Sequence, residues 1–413
     1  MKNVVIIGLG YVGFPLAQLV LERGYHVSGI DLDEEKLAKI RKGMHPLEPG
    51  TIEKSFPVFA QSPEVIRTAD IIIIAVPTPV SQAKLPDLGA VITAATYVVN
   101  NIGDNKPLVI VESTINPGVM DEVIKPIFDL KKLVVGEDYF LAHCPERISP
   151  GDAWELKDIA RVVGAFSDTG LKRAKKFYET ILDADIKPLS CVKSVEAAKI
   201  LENSFRDINI AFINEIAKSF DVMGIDVLEV IEGASTKPFA FMPHYPGCGV
   251  GGHCIPVDPY YLIEKAKLSG FDHSFLRKAR EINESMPAYT VELLVDALND
   301  AKRCLNGSKI GILGLSYKPN VGDRRESPSF PIMKLLKEKG ATVLMYDPFF
   351  PEQNDVPTLA ALQKETDVFV LCTAHEEFKK LNLNEVAVLV DGRNFFAKEK
   401  LTCIYRGIGR GKK

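Results

Sequence analysis

The chain has no apolar run long enough to cross a bilayer. The longest, "IIIIAV" from Ile71 to Val76, falls far short of the roughly twenty residues a spanning helix needs. Its start, "MKNVVIIGLGYVG", lacks a basic n-region and a cleavage site, so no secretory leader is expected. Neither sign of charge dominates: the net charge of -4 gives no whole-chain basis for binding nucleic acid or an anionic membrane. The basic ending "RGIGRGKK" reads as a solvated, frayed tail. Cysteine is too sparse and irregular for a disulfide framework: seven are scattered singly, which suits reduced thiols in the cytosol. Paired metal-ligand spacings are absent too. Cys248, His253 and Cys254 are the nearest approach to a zinc set, but adjacent residues chelate poorly and no fourth ligand pattern accompanies them, so no metal is expected. What remains is a composition of 46% hydrophobic and 25% charged residues over 413 positions, as in a soluble cytoplasmic protein of two or three domains.

The first half alternates short Val/Ile-rich strands with helix-period segments, the pattern of a parallel sheet covered on both faces. Strands are expected at Asn3–Gly8, His26–Ile30, Asp70–Val76, Leu108–Glu112 and Tyr139–His143. From Ser194 to about Ala301 long helices take over, and four more strands follow in "SKIGILGLSY", "ATVLMYDP", "TDVFVLCTA" and "VAVLVDGRN". The two α/β regions echo each other, each with a Gly-containing strand end, a helix, and a strand closing on an aspartate, Asp31 or Asp347. The fold class is therefore α/β, with two Rossmann-like doubly wound parallel sheets joined by a central helical segment. The expected domains are 1–193, 194–303 and 304–413.

"GLGYVG" supplies G-x-G-x-x-G at Gly8, Gly10 and Gly13. It follows a strand, opens a helix at Phe14–Arg23, and precedes Asp31, which ends the next strand 18 residues after Gly13. Glycines there admit a pyrophosphate to unpaired N–H groups at the helix N-terminus, and an aspartate at the second strand end suits ribose hydroxyls while repelling a 2′-phosphate. NAD is the cofactor this predicts. Thr78 of "VPTP", and Ser113 and Thr114 of "VEST", follow other strands toward the same crevice, although a turn or cap hydroxyl would explain each alone.

"SVEAAKILENSFRDINIAFINEIAKSF" is helical by period and apolar around much of its circumference, at Ala197, Ile200, Leu201, Phe205, Ile208, Ala211, Phe212 and Ile216, so it is expected to be mostly buried. Lys199 and Asn203 share one face, and Asn214 lies near the same line; a structural network would account for them as well as a catalytic one.

Cys254 stands in "GVGGHCIPVDPYYL", where glycines bury little around a structural thiol. That role suits Cys304 or Cys372 better, since both have apolar neighbours in sequence. Asp258 and Pro259 read as N-cap and N1 of the next helix, which places Cys254 just ahead of a helix N-terminus that favours a thiolate. A nucleophilic thiol beside an NAD domain lets an aldehyde be held as a thiohemiacetal, oxidised again to a thioester and hydrolysed.

With these residues in place, the chain resembles the UDP-glucose/GDP-mannose dehydrogenase family from Gly8 to about Arg393, through "GLGYVG", "VPTP", "EST", "CPER", "AAKILEN", "GVGGHC" and "RESPS". The resemblance implies an N-terminal NAD domain, a central helix that makes a homodimer, and a C-terminal UDP-binding domain. It implies Cys254 as nucleophile, Lys199 and Asn203 as oxyanion stabilisers, and Asp258, Thr114 and Glu146 as groups that position water and move protons. Cofactor contacts are implied at Gly8, Gly10, Tyr11, Val12, Gly13, Asp31, Lys36, Thr78, Thr114 and Arg325. Substrate contacts are implied at Glu146, Lys199, Asn203, Arg206, Gly249, Gly251, Lys318 and Arg393, with "PGCGVGG" around the sugar diphosphate. His253, with "IPVD" after the cysteine, departs from the Ser and Phe-x-Lys-Asp of the UDP-glucose enzymes. The departure is closer to the branch acting on UDP-N-acetylhexosamines, with a slight lean to the gluco epimer on residues 236–262. UDP-glucose remains an alternative substrate. A single-hydride β-hydroxyacid dehydrogenase and a nucleotide-sensing module are rival readings; the former needs neither the loop cysteine nor the second α/β domain.

Overall fold

A computed structural model describes residues 2–47, 50–81, 83–148 and 154–411. The chain divides into two compact units, residues 1–202 with 260–271, and residues 203–259 with 272–413. The division falls inside the Val192–Met223 and Asp258–Leu268 helices.

The first unit holds an eight-stranded sheet: β1 (Asn3–Ile7), β2 (His26–Ile30), β3 (Val58–Phe59), β4 (Ile71–Ile74), β5 (Leu108–Val111), β6 (Phe140–His143), β7 (Arg161–Ala165) and β8 (Ile186–Pro188). The order is β3-β2-β1-β4-β5-β6-β7-β8. Its first six strands are parallel in the dinucleotide-binding order, and the direction reverses once, where β7 runs antiparallel to β6. Every residue of β4, β5 and β6 is buried, which explains their unbroken apolar sequences. The short or polar strands β3, β7 and β8 carry no such signal, and the sequence reading does not contain them.

The second unit holds an all-parallel sheet of β9 (Lys309–Leu313), β10 (Thr342–Tyr346), β11 (Val368–Leu371), β12 (Val388–Asp391) and β13 (Ile404–Gly407), ordered β10-β9-β11-β12-β13. The expected echo between the sheets is physical. Asp31 accepts the Leu9 N–H at 2.7 Å after β1, and Asp347 accepts the Leu315 and Ser316 N–H groups at 2.6 and 2.9 Å after β9. They then diverge. Asp347 is fully buried and takes a bond from His375 Nε2 at 3.1 Å, because His375 Nδ1 already accepts from Asn320 N–H. Asp31 remains partly accessible at its strand end.

Three expectations change. The tail is not frayed through residue 411: Ile404–Gly407 forms the edge strand β13, the Gly409 and Gly411 N–H groups donate to the buried Asp221 carboxylate at 3.0 and 2.9 Å, and Arg410 pairs with Asp226 at 2.7 Å. Backbone donors meeting a buried carboxylate fix it; Lys412 and Lys413 lie outside the described residues. The Val192–Met223 helix is not buried all round either. Leu201, Phe205 and Phe212 are 66%, 46% and 57% exposed, and Ala197 is exposed as well. Cys304 is exposed, whereas Cys372 is buried, so only the latter is a structural thiol.

Candidate active site

In the first unit, Gly8 turns the chain at the end of β1 with φ +94°, and a Cβ there would lie 2.5 Å from the Ala75 carbonyl oxygen at the end of β4. At Gly13 a Cβ would collide with the Gly8 carbonyl oxygen, whereas a Cβ at Gly10 would meet no atom of the described residues within 4 Å, which leaves space there for a ligand. Tyr11 and Val12 are half-buried between them. The Gly13–Glu22 helix has no side-chain cap at Val12 among the described residues, which suits its N-terminal dipole end to an anion. Asp31 is oriented by the Leu9 and Asp33 N–H groups at 2.7 and 2.9 Å, and Lys36 Nζ lies 3.6 Å from both the Asp31 and the Asp33 carboxylates. This cradle, with a small open glycine, a dipole end and an acidic strand end, fits a dinucleotide.

Beyond β4 and β5, the Thr78 hydroxyl donates to the Thr114 carbonyl at 2.7 Å, the Ser113 hydroxyl to the Val76 carbonyl at 2.7 Å, and the Tyr261 hydroxyl to the Thr78 carbonyl. Glu196 holds the far side of the Thr114 loop, since its carboxylate accepts the Gly118 and Met120 N–H groups at 2.6 and 2.8 Å. Burial raises the Glu196 carboxyl to about 7, against the lowering effect of those two bonds. Lys199, one turn further along the helix, is buried with 7% of its surface exposed.

Glu146 is not on a surface turn. It is 6% exposed, accepts the Ile148 N–H at 2.5 Å, and lies 3.3 Å from Arg161 Nη2. Arg161 is fully buried and also faces Glu112 at 3.6 Å, while Tyr178 donates its hydroxyl to Glu112.

In the second unit, the Asn203 amide donates to the Asp258 carboxylate at 2.5 Å, and both are buried. Asp258 is the first residue of its helix rather than its cap. Its N–H donates to the Cys254 carbonyl at 2.8 Å, and Val257 N–H donates to the same oxygen at 3.1 Å. The helical turn therefore begins at Cys254, whose side chain is exposed.

The loop leading to this cysteine looks flexible in sequence and is tied down in the fold. Gly247 N–H donates to Asn214 Oδ1 at 2.9 Å, Cys248 N–H to the Gly392 carbonyl at 2.9 Å, and Gly252 N–H to the Arg325 carbonyl at 2.9 Å. Arg393 donates to the Cys372 and Gly249 carbonyls at 2.8 and 3.3 Å. A Cβ at Gly251 would meet Tyr317 at 2.5 Å, next to Lys318 in sequence. Arg325 is exposed and forks onto Asp323 through 3.0 and 2.6 Å bonds. Burial, with Arg325 nearby, pushes the His253 imidazole below its ordinary value. Arg206 is exposed on its helix.

Asn214 answers its position in the sequence: its amide donates to Asn283 at 2.9 Å, and Asn283 donates to Asp207, which pairs with Arg280 at 2.5 Å. Sequence reasoning missed Arg161, Glu112, Tyr178, Glu196 and Tyr261. Of these only Glu196 had a usable signal, as a charge on the predicted buried helix.

Family models match along the chain. Residues 2–182 match the NAD binding domain of the UDP-glucose/GDP-mannose dehydrogenase family, residues 193–285 its central domain, and residues 311–398 its UDP binding domain. The chain is 36% identical to a UDP-N-acetyl-D-mannosamine dehydrogenase of Pyrococcus horikoshii, covering 99% of both chains. It is 33% identical to a UDP-N-acetyl-D-glucosamine 6-dehydrogenase of Pseudomonas aeruginosa, covering 94% of each. A solved structure of UDP-D-ManNAc dehydrogenase from Pyrococcus horikoshii superposes with a TM-score of 0.91 at 34% identity, covering 99% of both chains. Together with the dinucleotide cradle, these matches establish the chain as an NAD-dependent dehydrogenase that belongs to the UDP-glucose/GDP-mannose dehydrogenase family.

Proposed function

We propose that the protein oxidises the C6 hydroxymethyl of a UDP-N-acetylhexosamine to the carboxylate in two steps at one thiol, Cys254. The observation that supports this most is the tethered glycine loop, which presents an exposed Cys254 at the first turn of a helix beside the buried Asn203–Asp258 pair. Each of the two oxidations would consume one NAD as hydride acceptor, the first NADH being exchanged for a second NAD, with the hydroxyl proton of each step released to water. The residues taken to hold NAD are Gly8, Gly10, Tyr11, Val12, Gly13, Asp31, Lys36, Thr78, Thr114 and Arg325.

Cys254 adds its thiolate to the aldehyde carbon, forming the C–S bond while the carbonyl oxygen becomes an oxyanion and takes a proton. Lys199 and Asn203 stabilise that oxyanion by fixed charge and dipole. After the second oxidation, water adds to the thioester, the C–S bond breaks, and Cys254 leaves with the sulfur's electron pair. Asp258, Thr114 and Glu146 position that water and take its protons. Arg206, Gly249, Gly251, Lys318 and Arg393 are assigned to the nucleotide sugar.

Between the two C2 epimers, the names of the relatives favour the manno form, through the Pyrococcus protein at 36% identity. The similarity of residues 236–262 and the Pseudomonas relative at 33% support the gluco form as a second reading. Comparison of kcat/KM for UDP-ManNAc, UDP-GlcNAc and UDP-glucose separates them. The N-acetylated sugars are expected to lead, and a preference for UDP-glucose would overturn the substrate class. Cys254→Ala is expected to retain NAD affinity and lose carboxylate formation; a variant that still makes uronate at the wild-type rate would remove Cys254 as nucleophile.

A further inference from the structure

We propose that Arg161 is a positioning residue for Glu146, holding its carboxylate oriented for thioester hydrolysis without itself touching substrate. This rests on the role proposed above for Glu146.

The guanidinium is completely buried. Its Nη1 donates to the Pro145 carbonyl at 3.1 Å, which fastens it to the residue immediately before Glu146. Its Nη2 lies 3.3 Å from Glu146 Oε1, within ion-pair range but out of hydrogen-bond geometry, so Nη2 and Nε have no hydrogen-bond partner among the described residues. A buried cation left partly unsatisfied adds little to stability compared with apolar side chains of similar volume, which points to a role other than holding the fold.

Other groups face the same cluster. Glu112 at the end of β5 lies 3.6 Å from Nη1 through Oε2, which takes no hydrogen bond among the described residues, while Oε1 takes the Tyr178 hydroxyl from the Asp168–Ile181 helix. Cys144 follows β6. Burial raises the Glu112 carboxyl and the Tyr178 hydroxyl, and pushes the Cys144 thiol up to about 12. Arg161 thus lies between two buried carboxylates, and its approach to Glu146 is the shorter, 3.3 Å against 3.6 Å to Glu112. The neighbouring Arg147 is turned away onto Glu202 at 2.5 Å.

The test separates oxidation from hydrolysis. Both hydrides leave before water attacks, so a hydrolysis defect leaves a burst of two NADH per active site followed by a slow phase. Wild type, Glu146→Gln, Arg161→Gln and Arg161→Lys are compared by stopped flow, with NAD affinity as a check on folding. Arg161→Gln is expected to keep the burst and slow the second phase about 10–100-fold. Arg161→Lys is expected to restore part of that rate, since it keeps the charge and loses the fork. An unchanged slow phase in Arg161→Gln overturns the proposal, as does loss of burst and NAD binding together in both Arg161 variants. Should Arg161→Gln not fold, Arg161→Lys decides: an intact burst with a slowed second phase supports the proposal, and a wild-type second phase overturns it. If Glu146→Gln slows hydrolysis and the Arg161 variants do not, this proposal alone fails. If Glu146→Gln leaves hydrolysis at the wild-type rate, the reading of Glu146 fails and takes the proposal with it.

Discussion

At the scale of single residues, the clearest constraint is steric. A methyl group at Gly8 would be 2.5 Å from the Ala75 carbonyl in a backbone conformation, φ +94°, that disfavours any L side chain. Gly8→Ala is therefore expected to weaken NAD binding by roughly tenfold or more, measured by titration calorimetry, because the loop must shift to admit it. Glu196 gives a pH-dependent prediction. Its folded carboxyl titrates near 7 against an ordinary value of 4.5, so the folded state holds a proton that the unfolded chain has already lost. The stability this contributes is full below about pH 4.5 and disappears as pH rises through 7. Wild type is therefore expected to lose up to about 3 kcal/mol relative to Glu196→Gln between pH 5 and 8, read by denaturant unfolding. A flat difference across that range would contradict the shift. The glycines were legible because their constraint is local. The partners of Glu196, Arg161 and Asn214 were not, since each is reached through tertiary contacts tens of residues away in sequence.

At the scale of elements, the fully buried strands could be read almost to the residue, because burial on both faces leaves no polar position to blur the pattern. The short edge strands β3 and β13 could not, because neighbouring chain rather than composition creates them. The glycine loop shows the same limit: its sequence suggests mobility, and bonds from Asn214, Gly392, Arg325 and Arg393 remove it. Asn214→Ala is expected to cost about 1–3 kcal/mol and to raise KM for the UDP-sugar several-fold while leaving NAD affinity unchanged, since it frees Gly247 N–H inside the fold. An unchanged KM would show that the loop is held by its other contacts. The C-terminal segment is a second tether. Arg410→Ala breaks the pairing with Asp226 and should lower Tm by several degrees in thermal unfolding.

At the scale of the whole molecule, the order of strands follows from where connections can cross, and alternating strands and helices make that order predictable. What a single chain hides is the destiny of its exposed apolar residues. Leu201, Phe205 and Phe212 are spaced along one face of the Val192–Met223 helix, and their exposure suits the homodimer through this helix that the family resemblance implies. Phe205→Asp with Phe212→Asp is expected to halve the mass found by light scattering; an unchanged mass would place the interface elsewhere.

Removal of two hydrides from one sugar through Cys254 is tested by counting NADH formed per UDP-N-acetylhexosamine consumed. Two NADH per sugar, with uronate as the only sugar product, is predicted. One NADH per sugar, with the aldehyde released, would contradict it.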